Sequence, residues 1–221
     1  NTVLAQVEAL VAAQRQVTDD IAHDLRAPLS RLRQRLEGAL AGARDAAGDA
    51  ATLEAALDEL DQVLATFASL LRIARVESGV VRAGFAPVDL SALIAAMAET
   101  YDAAVEDAGR SLHAEVAPGI AMQGDAALLR QAVANLLDNA LTHGAGDIRL
   151  RLLPGPVIEV GDEGPGVPAA ERNAVLRRFH RLDRSRATPG TGLGLALVAA
   201  AAKAHGGRVA LADGPGGQGL L

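Results

Sequence analysis

Apolar residues recur at three- and four-residue steps through the first third of the chain. Leu4, Val7 and Val11 begin the series, and Ile21, Leu25, Leu32 and Leu36 continue it with some gaps. This is the period of an amphipathic helix. The run from Gly42 to Asp49 (GARDAAGD) interrupts it with glycines and charges and reads as a loop. Leu53, Leu57, Leu60, Leu64, Phe67 and Leu71 then resume the helical period, and Ser78-Gly79 closes it. The pattern predicts a helical hairpin. Two helices alone bury little, so pairing with a second copy as a four-helix bundle is the expected completion, with packing on the rest of the same chain as the alternative.

The pattern changes beyond this point. Val80 to Val88, with Gly84 and Pro87, reads as a linker containing a short strand. Asp89 can cap a helix from Leu90 to about Ala108, and Asp125 can cap another from Ala126 to Leu141. Leu112 to Val116, Ile120 to Met122, Ile148 to Leu153 and Val157 to Val160 read as short strands, the last two around Pro154-Gly155-Pro156. A helix from Gly194 to Ala204 and a strand from Arg208 to Leu211 follow. The fold class predicted is therefore multi-domain: an all-α helical hairpin, completed as a dimeric four-helix bundle, followed by an α+β sandwich with helices on one face of a mixed sheet.

Composition narrows the function. The 221 residues include 27 acidic and 21 basic side chains, a formal net charge of −6, and only three Phe and one Tyr. A nucleic-acid surface would need a basic face with stacking aromatics. The absence of cysteine leaves no disulfide framework and no thiolate metal site. No apolar run is long enough to span a bilayer, and no signal peptide is visible. The first residue is not Met, so the chain reads as an excised piece of a longer protein.

Five short stretches carry candidate chemistry. In QVTDDIAHDLRAPLSRL, the residues Ile21, Leu25, Leu32 and Leu36 lie roughly 160–220° round the helical wheel from His23. His23, beside Asp24, therefore faces away from the apolar seam. Taken alone it is a solvated surface histidine. In NLLDNALTH, Asn135 and Asn139 share one helix face. Two amide oxygens there suit a hard cation such as Mg²⁺, although surface asparagines are the plainer reading. DEGPG places Asp162 at a strand end, with Gly164 and Gly166 letting backbone approach a flat ring; alone it is an ordinary turn. RRFHRLDRSRATPG holds five arginines before a Pro-Gly break, and reads as either a solvated charged loop or a lid bringing guanidinium groups to phosphate. GTGLGL opens a helix, and reads as either a flexible N-cap or a turn whose backbone N–H groups converge on an anion. It lacks the Gly-Lys-Ser/Thr of a Walker motif.

In this order and spacing, the five stretches resemble the sensor histidine kinases of two-component systems across nearly the whole chain. HDLRAPL looks like the phospho-acceptor box, NLLDNA the asparagine box, DEGPG and GTGLGL the two glycine boxes, and RFHR the phenylalanine box. Asn1 to Gln16 resembles the last helix of a HAMP signalling module, which in this family follows a transmembrane helix. The resemblance divides the chain into residues 1–16 (end of the HAMP-like helix), 17–79 (dimerisation and phospho-acceptor), 80–88 (linker) and 89–221 (ATP-binding). It implies the cytoplasmic portion of a bacterial inner-membrane receptor.

The implied activity is ATP-dependent autophosphorylation of His23 followed by transfer to an aspartate of a response regulator. At its unperturbed pKa of about 6.5, His23 offers a neutral imidazole at pH 7. By resemblance, Asp24 takes the proton from the other ring nitrogen and Arg181 steadies the γ-phosphate. Asp162 accepts from the adenine amino group, with Gly164 and Gly166 against the ring. Asn139 is the first Mg²⁺ ligand candidate and Asn135 the second. Gly190, Thr191, Gly192, Leu193 and Gly194 surround the phosphates. The implied cofactors are ATP and Mg²⁺, and the partners are a second copy and a receiver domain. Three positions depart from the family pattern. Thr142 stands where a Lys or Arg is frequent, with His143 beside it as a partial substitute. Ala27 stands where many relatives carry the Thr or Asn associated with dephosphorylating the regulator, so weak phosphatase activity is expected. The chain ends at GGQGLL, short of the usual closing strand.

Overall fold

The structure is a computed structural model that describes residues 30, 33, 34, 36–38, 46–77, 84–182 and 191–214. His23, Asp24, Ala27, Gly190, the HAMP-like segment and the GGQGLL end lie outside the described residues. The chain divides into two units, with the division after Ala74.

Helix α1, Ala46–Glu77, begins inside the stretch read from sequence as a loop. The alanines around Gly48 favour helix enough to offset one glycine. Ala56, Val63, Leu70 and Ile73 are buried, whereas Leu53, Leu57, Leu60, Leu64, Phe67 and Leu71 are exposed. On the wheel the two sets are adjacent sectors, roughly −100 to 0° and 20 to 100° from Ala56. Half of a broad apolar arc is therefore open on this chain, and its 4-3-4-3-4 spacing is that of a coiled-coil seam. Among residues 30–38, those described are helical, with Arg33 Nε donating to Glu37 Oε1 at 2.7 Å across one turn.

The second unit carries strand β1, Ala86–Asp89, then helix α2, Leu90–Asp107. Strands β2, Leu112–Val116, and β3, Ala121–Gly124, precede helix α3, Ala126–His143. Strands β4, Ile148–Leu153, and β5, Val157–Gly161, lead through turns to helix α4, Gly194–Ala204. Strand β1 pairs antiparallel with β3. In the other sheet β4 is central, parallel to β2 and antiparallel to β5. Helices α2 and α3 cover one face of β4. Ile148, Leu150 and Leu152 point inward against Leu90, Ile94, Val105, Val133 and Leu137, while Arg149 and Arg151 alternate outward. The two helices are also pinned at their rim, where the Tyr101 hydroxyl donates to Asp138 Oδ1 at 2.8 Å. Burial, then that hydrogen bond and the Asp138 charge, push the phenol's pKa well up.

The strand expected from Arg208 to Leu211 is not formed: residues 207–212 have no regular structure, and only Asp213 makes a bridge. Strand β3 sits later than expected, because Ile120 is used elsewhere. Its carbonyl accepts from Leu90 N–H at 2.8 Å and its N–H donates to Ser91 Oγ at 2.9 Å, tying the start of α2 to the β3 approach. Helix α3 runs one half-turn past Leu141, to His143.

Candidate functional site

Helix α3 organises the site. Asp125 starts it as N-cap, accepting from the N–H groups of Ala127 at 2.9 Å and Leu128 at 3.0 Å. Leu129, Val133, Leu137 and Ala140 anchor it in the core. Asn135 and Asn139 stand half-buried at the edge of that face. Helix interiors do not favour asparagine, so its presence calls for side-chain partners. Asn135 has one: its Nδ2 donates to the Gly194 carbonyl at 3.4 Å, at the first residue of α4. Only its Oδ1 remains to face a cation. Asn139 follows one turn later, about 6 Å further along the axis.

At the far end of α3 the chain turns through Gly144 and meets the loop after β5. A Cβ on Gly144 would lie 2.7 Å from Asp162 Cγ, so only glycine admits this approach. The Glu163 N–H donates to Ala145 O at 2.8 Å, and the Gly164 N–H donates to Asp162 Oδ1 at 2.7 Å. Asp162 is only 8% exposed, and its Oδ2 has no partner among the described residues. A buried carboxylate with one oxygen unsatisfied is costly unless a ligand completes it. Both Oδ1 and the glycines at 144 and 164 are spent on positioning, which leaves Oδ2 as the acceptor.

The second glycine cluster sits at the N-terminus of α4. Gly192 has φ +69, and a Cβ there would lie 2.9 Å from the Phe179 backbone, whose N–H donates to Gly192 O at 2.9 Å. Phe179 itself has φ 60, in the left-handed region that costs a bulky residue energy. Leu193 is buried and anchors α4, but among the described residues no side chain caps this helix, and no acid occupies its first turn. Its first N–H groups thus suit an anion. Thr191 and Gly194 flank the turn, and Gly166, with φ 68, closes the loop begun by Asp162.

The arrangement brings together Asn135 with Gly194, Gly144 with Asp162 and Gly164, and Phe179 with Gly192. Arg181 lies just beyond Phe179, and His143 is exposed in the last turn of α3. Among the described residues no cluster of three or more His, Asp or Glu could hold a metal. A divalent cation here would take its remaining ligands from phosphate and water, which fits Mg²⁺ and an amide oxygen. Two contributors were missed in the sequence. The glycine turn 144–146 was readable as a helix stop. Arg110, which binds that turn, carries no local signal.

Two family models match the chain: the His Kinase A (phospho-acceptor) domain over residues 13–79, and the histidine kinase-, DNA gyrase B- and HSP90-like ATPase over residues 124–220. The probable sensor histidine kinase TcrY of Mycobacterium tuberculosis is 36% identical over 232 residues, covering 98% of this chain and 48% of the relative. The signal transduction histidine-protein kinase/phosphatase MprB of Mycobacterium ulcerans is 35% identical over 222 residues, covering 93% and 42%. The chain thus spans less than half the length of these relatives. The crystal structure of full-length ShkA in complex with AMPPNP matches with a TM-score of 0.66 at 27% identity, over 91% of this chain and 44% of that one. The chain belongs to the sensor histidine kinases, pairing a His Kinase A phospho-acceptor domain with an ATP-binding domain of the kind shared by DNA gyrase B and HSP90.

Proposed function

We propose that this chain autophosphorylates His23 from ATP and passes the phosphoryl group to an aspartate of a separate receiver domain. The observation that carries the reading is the buried Asp162, whose Oδ2 has no partner among the described residues and lies beside two glycine-lined turns. That oxygen accepts a hydrogen bond from the adenine amino group. The triphosphate then extends along α3 past Asn139 to the uncapped N-terminus of α4, where the N–H groups at residues 192–194 bind it. Residues Asn135 to Gly144 span about 13–14 Å of helix and turn, a fair match to a nucleotide. Thr191 belongs to the same phosphate turn, the resemblance assigns Gly190 the same role, and His143 supplies polar contact where Thr142 removes a charge.

Mg²⁺, when bound, neutralises charge on the phosphate oxygens, and Asn139 is the side chain that would hold it, with Asn135 Oδ1 second. His23 attacks phosphorus, an N–P bond forms, and the bond to the ADP oxygen breaks. Asp24 takes the proton from the imidazole's other nitrogen, and Arg181 stabilises charge on the transferred group. Asn139→Ala is expected to weaken ADP binding in Mg²⁺ and to leave binding in EDTA unchanged. Equal losses in both titrations would move the ligand role to Asn135.

The reading includes a homodimer. The open sector of α1, with Leu57 60% and Leu64 55% exposed, pairs with its copy as a four-helix bundle. Light scattering should give twice the chain mass, and Leu57→Glu with Leu64→Glu should give the monomer. A wild-type monomer would contradict this. The piece belongs to the cytoplasmic side of a membrane receptor, the HAMP-like residues 1–16 leading to it; among the described residues no helix is long and apolar enough to cross a membrane.

Phosphatase activity is weak in this reading, although MprB is named as both kinase and phosphatase. On an ideal helix a residue four positions after His23 would stand about 40° round from it, and the methyl group of Ala27 can neither donate nor accept a hydrogen bond to an attacking water. Ala27→Thr should speed decay of the phospho-regulator and leave autophosphorylation unchanged. Rapid decay with the native chain would refute the role of Ala27. The function as a whole is tested by phosphotransfer profiling: the phosphorylated chain should label a receiver domain on aspartate within minutes, and a panel left wholly unlabelled would count against it.

A further inference from the structure

Arg110 is the first residue beyond Gly109, which ends α2, and its guanidinium folds over the C-terminal end of α3. Nη1 donates to Ala140 O at 2.9 Å and to Leu141 O at 3.4 Å. Nη2 donates to Ala145 O at 3.1 Å, and Nε donates to Gly146 O. A helix ends with carbonyls that lack partners, and a planar fork of five donors can satisfy several of them at once. The cation also lies at the negative end of the α3 dipole.

The Ala145 carbonyl takes two donors: Arg110 Nη2 and, at 2.8 Å, the N–H of Glu163. Glu163 follows Asp162 directly. On the other side of the same turn, Gly144 touches the Asp162 side chain, and a Cβ on Gly164 would meet Gly144 Cα at 2.8 Å. The turn that Arg110 grips is therefore the wall against which Asp162 is set. Residues 110, 140–146 and 162–164 are distant in sequence, so nothing local replaces this grip.

We infer that Arg110 is a positioning residue for purine recognition, holding the Gly144–Gly146 turn so that Asp162 Oδ2 stands where it reads a 6-amino group. The inference rests on the nucleotide site proposed above. Arg110 touches no nucleotide; it acts through the Ala145 carbonyl and the Gly144 contact. Its loss frees the turn and lets Asp162 rotate into water, so discrimination between a 6-amino and a 6-oxo purine falls while the phosphate contacts at α4 remain.

The test compares ADP with inosine diphosphate by calorimetry on the native chain, Arg110→Ala and Arg110→Lys, each checked for folding by circular dichroism. The native chain should prefer ADP. Arg110→Ala should lower that preference by about tenfold, the scale of one charge-assisted hydrogen bond, chiefly through ADP. Arg110→Lys keeps the charge but lacks the fork, and should lie between the two; it carries the test if the alanine variant does not fold. A preference unchanged in the folded variants, or equal losses for both nucleotides, would overturn the role of Arg110. A native chain without preference would instead overturn the assignment of Asp162, and the inference with it.

Discussion

His23→Gln is expected to abolish phosphoprotein formation entirely while leaving nucleotide affinity unchanged. Glutamine is similar in size and keeps a polar surface, but its amide nitrogen is not a nucleophile at neutral pH, whereas imidazole has a free lone pair on one nitrogen. The affinity should hold because Asp162, Gly164 and the N-terminus of α4 all lie in the second unit, more than a hundred residues further along the chain. The check is label transfer from γ-labelled ATP beside a calorimetric titration with ADP. Labelling of the variant at the native rate would place the phosphoryl group elsewhere.

Asp162→Asn is expected to weaken ADP binding by roughly tenfold to a hundredfold, on the order of 1.5–3 kcal/mol for a lost charge-assisted hydrogen bond. The direction follows from the geometry. Oδ1 already accepts from Gly164 N–H at 2.7 Å, so in asparagine the oxygen is drawn to that position. The amide nitrogen then occupies the Oδ2 position and presents a donor to the donor amino group of adenine. If the amide flips, it sets a donor against Gly164 instead. Either orientation leaves one buried polar clash, because Gly144 packed on the side chain leaves no space for it to swing away. Unchanged ADP affinity in a folded variant would remove Asp162 from the adenine site.

Much of the second unit was legible from its residues. Strand β4 alternates Ile148, Leu150 and Leu152 with Arg149 and Arg151, and a strand with one buried face must do so. Asp89 and Asp125 announced α2 and α3 as N-caps, and both side chains accept from the first turn. Other readings failed for identifiable reasons. Residues 208–211 (RVAL) alternate like a strand, but a strand requires a neighbour to pair with, and periodicity says nothing of that. The two glycines at 42 and 48 suggested a loop through Asp49, but alanine-rich surroundings carried α1 back to Ala46.

The candidate site divides in the same way. The one-turn spacing of Asn135 and Asn139 was visible, and so was the carboxylate at the end of β5. That Asn135 donates to Gly194, that Phe179 and Gly192 meet backbone to backbone, and that Arg110 grips the turn beside Asp162 were not. Each of these contacts ends on a main-chain carbonyl 13 to 59 residues away in sequence, and a carbonyl is the same in every residue. Sequence shows which side chains are available, whereas only the folded chain shows which peptide groups they meet.

The central claim is that this chain makes phosphohistidine, and the bond itself is the most direct measure of it. The chain is incubated with γ-labelled ATP and Mg²⁺, and the labelled protein is divided between acid and alkali. A phosphoramidate hydrolyses in acid and survives alkali. The account predicts label bound to protein, lost in acid, retained in alkali and absent from His23→Gln. Label released only as free phosphate, or a protein-bound phosphate that survives acid, would contradict it.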